Sequence, residues 1–178
     1  LKEIELPLCD ILSDMEIEGF PIDRNVLIEM NNEYKEILDK LQKQIYTLAG
    51  YEFNIASPKQ IADLLFHKLE LPSNKKESTS IEVLNFLKDK HPIVPLLIEH
   101  RKYSKIISTY TEGLLYYIHE DNKIHTLFNQ ALTQTGRLSS SEPNLQNIST
   151  RNEEGKLVRK AFYYQDDYLL SLDYSQIE

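Results

Sequence analysis

The 178-residue chain carries a single cysteine, Cys9. One thiol builds no intrachain disulfide framework and no cysteine-based zinc cluster. Five glycines and seven prolines exclude collagen-like and linker-dominated architectures. No apolar run approaches the roughly 18 residues that a bilayer-spanning helix needs, so no membrane partner is expected. The start, Leu1-Lys2-Glu3-Ile4-Glu5, has no signal-peptide core. A soluble protein of a reducing, intracellular compartment is the expectation. Hydrophobic residues make up 41% and charged residues 27%, which suits a packed core and argues against wholesale disorder. The length fits one domain, or one and a fraction.

Positive charge is also short. Lys and Arg number 20 against 28 Asp and Glu, a net charge of −8. Taken alone, that balance argues against nucleic acid, because phosphate binding rests on cations. The total conceals a gradient. Residues 1–40 carry 4 basic and 11 acidic groups, whereas residues 71–110 carry 7 and 4, and residues 121–160 carry 6 and 4. Residues 161–178 hold four acids and no base. A polyanion responds to the field within a Debye length, roughly 8–10 Å, so the local balance decides. A solvated acidic protein with scattered charge is the alternative reading.

The first half reads as helical. Ile4, Leu8, Ile11, Leu12 and Met15 recur at helical spacing, and Gly19 is a natural stop. After a short extended connector, Phe20-Pro21-Ile22-Asp23, apolar residues from Leu27 to Leu48 step by three and four. Asp23 suits the cap of that helix and Gly50 its end. A coiled-coil dimer is the alternative use of so long a stripe. Ser57-Pro58-Lys59-Gln60 and Thr79-Ser80-Ile81-Glu82 read as capping boxes opening further helices. Another long helix is expected after His91-Pro92, to about His119. Residues 124–130 alternate like a strand, residues 133–150 read as loop, and residues 161–174 read as a β-hairpin. Both chain ends read as cuts in a longer protein.

Two stretches have the composition for chemistry. In Thr135-Gly136-Arg137-Leu138-Ser139-Ser140-Ser141-Glu142-Pro143-Asn144-Leu145-Gln146-Asn147, the donors Arg137, Asn144, Gln146 and Asn147 suit the acceptors that every base pair shows in the DNA minor groove. A surface loop satisfied by its own Asx and Ser turns is the other reading. In Leu172-Asp173-Tyr174-Ser175-Gln176-Ile177-Glu178, an Asp closes an apolar strand. That is costly unless the carboxylate meets a metal ion or a donor. A strand-end cap serves as well on spacing alone. Elsewhere, Arg101 and Lys105 stand four apart on one helix face with Ser108 a turn beyond. Lys75 and Lys76 precede Ser78, Thr79 and Ser80 at a helix start. For Arg101 and Lys105, the alternative is a solvated face or pairing with Glu99 or Glu112.

The string TGRLSSSEPNLQN, followed 25 residues later by LDYSQIE, strongly resembles the bacterial DNA polymerase I family, family A. Glu5-Leu6-Pro7-Leu8, Met15-Glu16-Ile17-Glu18-Gly19, Leu48-Ala49-Gly50, Phe53-Asn54, Ser57-Pro58-Lys59-Gln60, Ser78-Thr79-Ser80, Arg101, Lys105, Ser108-Thr109-Tyr110 and Ile124-His125-Thr126 follow in the family's order. The resemblance therefore covers essentially the whole chain.

It implies an α+β fold, with a long-helix thumb subdomain and an incomplete antiparallel palm sheet. Residues 1–23 would be the helix leading into the palm, residues 24–110 the duplex-binding thumb, and residues 111–178 the N-terminal part of the palm. Asp173 matches the first catalytic carboxylate and a ligand of two Mg²⁺ ions, and the Tyr174 carbonyl matches a ligand of one. Glu178 matches the gate against a ribose 2′-hydroxyl. Arg137 matches the minor-groove arginine at the primer end, and Asn144, Gln146, Asn147 and Arg151 match template and primer contacts. Asn54, Ser78, Thr79, Ser80, Arg101 and Lys105 match thumb contacts to phosphates, with Lys75 and Lys76 beside them.

The implied partners are primer–template DNA and a dNTP, in the bacterial cytoplasm at the nucleoid. The implied reaction is attack of a primer 3′-hydroxyl on the dNTP α-phosphate, with pyrophosphate leaving. This piece alone is expected to bind duplex weakly, to hold the two Mg²⁺ ions poorly and not to polymerise. Its truncated palm is expected to be prone to self-association. Three departures from the family pattern stand out: a short tip, Pro72-Ser73-Asn74-Lys75-Lys76-Glu77; Ala56 where a polar residue is usual; and Ser149-Thr150 before Arg151. The alternatives are a non-enzymatic DNA-binding module with decayed motifs, and a relative of single-subunit RNA polymerases.

Overall fold

The computed structural model describes residues 2–73, 77–148 and 153–163, with residues 168, 170 and 172. Lys75, Lys76, Arg151, Asp173, Tyr174 and Glu178 lie outside the described residues, as does most of the expected hairpin after residue 163. The chain divides into two compact units, residues 1–28 with 112–178, and residues 29–111. The fold is α+β, with helices dominant and the strands short and antiparallel.

In the first unit, α1 (Glu5–Glu18) ends at Gly19, whose φ of +66° and ψ of −179° fall in a region essentially reserved for glycine. A Cβ there would lie 2.6 Å from the His125 ring. β1 (Phe20–Pro21) pairs with β2 (Lys123–Ile124), Phe20 opposite Ile124. β3 (Leu127–Asn129) pairs with β4 (Ser139–Ser141), Phe128 opposite Ser140. The single strand expected over residues 124–130 is thus two strands. They break where Thr126 Oγ1 turns aside to the Pro143 and Ser141 carbonyls, at 2.7 and 3.1 Å. The expected loop contains β4 and a 3₁₀ turn, Leu145–Asn147. A further helix, α7 (Glu153–Lys160), was not anticipated from the pattern; Val158 and Ala161 are fully buried at its end. Phe162 bridges to Ile22 and meets the Phe20 ring edge-on at 5.4 Å.

The stripe on α1 does not become a core. Leu12 is buried, but Ile4, Ile11 and Met15 are exposed. Polar bonds hold the helix instead. Glu16 Oε1 accepts from the Phe128 N–H at 2.6 Å, and Gln130 Nε2 donates to the Glu5 carbonyl at 2.9 Å. Lys123 Nζ donates to the Glu18 carbonyl and carboxylate at 2.8 and 2.6 Å, which holds the Glu18 carboxyl below its usual range. His125 completes the clasp: Nδ1 donates to the Glu16 carbonyl at 2.8 Å and Nε2 to Asp121 Oδ2 at 3.0 Å. The bonds from Lys123 and His125 satisfy the Glu18 and Glu16 carbonyls of the last turn, which have no partner within the helix.

α2 (Arg24–Ala49) is the long helix of the periodic stripe, about 39 Å by its rise per residue. Asp23 Oδ1 accepts from the Asn25 and Val26 N–H groups at 2.8 and 3.4 Å, capping it as expected. Gly50 ends it at φ +79°. In the second unit follow α3 (Pro58–Ala62), running on as a π-helical turn (Asp63–Lys68), then α4 (Ile81–Leu87) and α5 (Ile93–Ile106). α5 continues as a π-helical turn (Ile107–Thr111) into α6 (Glu112–Tyr116), stopping short of the expected His119. Pro95 is tolerated because it sits in the first turn of α5, where its missing N–H has no intrahelical acceptor. Ile45, Ile55, Ile61, Leu64, Leu65, Phe66, Leu84, Leu87, Ile93, Val94 and Leu97 form one buried cluster.

Two acceptors facing both ring nitrogens favour the imidazolium, so the pKa of His125 is raised above 6.5, chiefly by the Glu16 carbonyl. Asp121 is shifted below 3.8, chiefly by His125. A raised histidine stabilises fully below its unfolded value and loses that contribution as pH rises through the folded value. A depressed aspartate stabilises above its unfolded value and loses it as pH falls through the folded one. The clasp is therefore strongest between those limits. Melting temperature against pH should fall on the alkaline side above about pH 6.5, and His125→Gln should flatten that limb. An identical profile for the variant would refute the assignment.

Candidate nucleic-acid interface

The second unit contains a groove of about 870 Å³, lined by α3, α5 and the segment of residues 77–80. α5 and the turn after it contribute Leu97, His100, Arg101, Ser104, Lys105 and Ser108, a stripe at three- and four-residue spacing. Leu97 belongs to the buried cluster, so the core sets this stripe's orientation. Opposite stand Ser78, Thr79 and Ser80, and α3 adds Lys59. Arg101 Nη1 donates to the Thr79 carbonyl at 2.7 Å, tying the 77–80 segment to α5 across 22 residues of sequence. The Ser80 N–H in turn donates to Ser78 Oγ at 3.1 Å. His100 is buried, and desolvation holds its pKa below 6.5, so it is neutral at pH 7. The lining then carries three cations, Lys59, Arg101 and Lys105, against one acid, Glu77.

The approach to α3 is built by local bonds. Ser57 caps, accepting from the Gln60 N–H at 3.4 Å, with Pro58 in the first turn. The Gln60 carboxamide does not close a capping box onto Ser57. Its Oε1 accepts from the Asn54 N–H at 2.8 Å, while Asn54 Oδ1 accepts from the Ala56 N–H at 2.9 Å. At α4 the expected box is also rearranged. Ser80 is the N-cap residue but makes no side-chain cap. Its hydroxyl bonds the Glu82 carboxylate and lowers the pKa of that group.

The second candidate region lies in the first unit. Gly136, at φ +73°, precedes exposed Arg137, whose carbonyl accepts from Thr133 Oγ1 at 2.6 Å. Asn144 Oδ1 accepts from the Gln146 N–H at 3.1 Å and from Ser140 Oγ at 3.3 Å. Gln146 Nε2 donates to the Leu138 carbonyl at 3.3 Å. Asn147 is exposed at the end of the 3₁₀ turn. The segment is thus braced by its own side chains, and the Asn144 oxygen is committed to that bracing. Among the described residues, no group of three or more His, Cys, Asp or Glu could hold a metal ion. No described helix is long and apolar enough to cross a membrane.

Residues 24–178 match the family model described as DNA polymerase family A. The chain belongs to that family. It is 51% identical to DNA polymerase I of Lactococcus lactis subsp. cremoris over 183 residues, covering 100% of this chain and 21% of the relative. It is also 51% identical to DNA polymerase I of Geobacillus stearothermophilus over 185 residues, again 100% of this chain and 21% of the relative. The chain thus spans about a fifth of the length of these relatives. Among solved structures, the POL domain of Pol1 from M. smegmatis, in complex with DNA primer-template and dNTP, matches with a TM-score of 0.88 and 37% identity. The match covers 94% of this chain and 30% of that one.

In this family A chain the groove gathers Ser78, Thr79, Ser80, Arg101 and Lys105. Asn54 stands beside it through its bond to Ala56, a lining residue. Lys59 was not singled out from sequence as a site residue. From sequence it stands only within Ser57-Pro58-Lys59-Gln60, a helix start that also follows the family's order. Arg137, Asn144, Gln146 and Asn147 share the braced segment of the first unit.

The Arg101 bond to Thr79 uses one arm of a planar guanidinium. Arg101→Lys should loosen residues 77–80, raising amide exchange there about tenfold while shifting global stability by less than about 1 kcal/mol. Unchanged exchange at Thr79 and Ser80 would remove the tether from the account.

Proposed function

We propose that this chain is the primer–template-gripping part of a template-directed DNA polymerase, its second unit acting as thumb and its first contributing palm. The observation that carries the reading is the groove in which Lys59, Arg101 and Lys105 stand among serine and threonine hydroxyls. Cations neutralise phosphates, hydroxyls donate to their oxygens, and none of these groups reads a base. A polymerase must hold every sequence it copies, so backbone recognition is the fitting chemistry. The net charge of −8 is no obstacle, because the described lining of the groove carries three cations against one acid and a polyanion responds to charge within about a Debye length. Family membership and the primer-template and dNTP of the M. smegmatis complex support the same substrates here.

The reaction would join a dNTP to the primer 3′-hydroxyl with release of pyrophosphate. Asp173 and the Tyr174 carbonyl are proposed as Mg²⁺ ligands, Glu178 as the sugar gate, and Arg151 as a template or primer contact; Lys75 and Lys76 would add phosphate contacts at the thumb tip. When bound, Mg²⁺ would supply stabilisation of the charge developing on the phosphoryl oxygens. The described residues fit binding and orientation: the thumb groove holds the backbone, and Arg137 with Asn144, Gln146 and Asn147 meets minor-groove acceptors near the primer end.

Two measurements test the proposal. Anisotropy titrations of duplex DNA across a salt series should give a slope that flattens by about one ion for Arg101→Ala and for Lys105→Ala. Unchanged slopes would reject the thumb groove. In primer extension with Mg²⁺ and dNTPs, the 178-residue chain alone should add no nucleotide, because thumb and partial palm supply binding without the complete reaction site. Incorporation by the chain alone would overturn that division.

A further inference from the structure

The groove presents one acid among its described lining residues, Glu77. A carboxylate is doubly unfavourable there. It repels phosphate, and it offers Lys59, Arg101 and Lys105 an intramolecular substitute for phosphate. Yet Glu77 Oε2 lies 3.2 Å from His67 Nε2, on the π-helical turn after α3. His67 is not a lining residue of the groove. Its Nε2–H donates to the carboxylate in the protonated form and in the matching neutral tautomer. The Glu77 backbone stands at φ +44°, a left-handed conformation that glutamate seldom adopts. The main chain is thus held in an uncommon turn while the carboxylate engages a partner off the lining.

We propose that His67 is a positioning residue for DNA binding: by engaging Glu77 it keeps the carboxylate from neutralising the groove cations. Glu77 is then a built-in competitor of the phosphate backbone, and His67 sets how strongly it competes. The inference rests on the backbone-binding reading above.

A double-mutant cycle in the 178-residue chain, read by anisotropy on a short duplex, tests it. Glu77→Gln should tighten binding about threefold at low salt, the scale of one screened charge, and the gain should shrink as salt rises. His67→Ala should weaken binding by a similar factor while Glu77 is present, and should change nothing in the Glu77→Gln background. His67→Gln, which restores an uncharged donor, should return binding to the starting value. Melting curves of each variant read folding separately. Equal effects of His67→Ala in both backgrounds, or none in either, would overturn the inference while leaving the thumb reading intact. Arg101→Ala distinguishes the two failures: if it too leaves affinity and salt slope unchanged, the backbone-binding reading itself has failed.

Discussion

The buried apolar cluster of the second unit is the constraint on which its charged surface depends. Ile61 on α3, Leu84 and Leu87 on α4, and Ile93, Val94 and Leu97 on α5 all turn inward to it. Burying those side chains is worth roughly 1.5–3 kcal/mol each, far more than a surface ion pair returns. The rotation of each helix is therefore decided by its apolar residues. Once Leu97 faces the cluster, the residues three, four, seven and eight positions on must share the groove stripe. The cations of α5 are placed by the core rather than by one another.

The first unit follows a different logic. α1 buries little beyond Leu12 and is held by directed bonds from side chains to backbone. Lys123 and His125, two residues apart, satisfy carbonyls of its last turn. Gly19 leaves room for the histidine ring, since any Cβ would collide with it. Directed bonds of this kind fix orientation closely but depend on protonation, whereas an apolar core does not.

Both units thereby present the polar groups on which the proposed DNA binding rests. The groove of the second unit sets Lys59, Arg101 and Lys105 among serine and threonine hydroxyls. The braced segment of residues 133–148 has its main chain held by Thr133, Asn144 and Gln146. Pre-ordering limits the entropy lost on binding. The proposed DNA binding is compatible with an acidic chain because a polyanion responds to local charge.

What the linear order of residues determined by itself was local. Asp23 capping α2, Ser57 capping α3, and the glycine stops at Gly19 and Gly50 are complete within a few positions, so their chemistry is readable without a fold. The stripe of Arg101, Lys105 and Ser108 is legible for the same reason, since helical spacing is a local geometry. The motif strings carried the family because their residue types and order survive without coordinates. Tertiary structure alone decided the choice of partner wherever several were within reach. Arg101 took the Thr79 carbonyl, 22 positions away, and His125 the Glu16 carbonyl, 109 positions away. The stripe of α1 stayed largely exposed, and Lys59 was brought to the same groove as Arg101, 42 positions away. Each of these outcomes depends on which surfaces meet after the core closes, and contacts between distant residues have no counterpart in local periodicity.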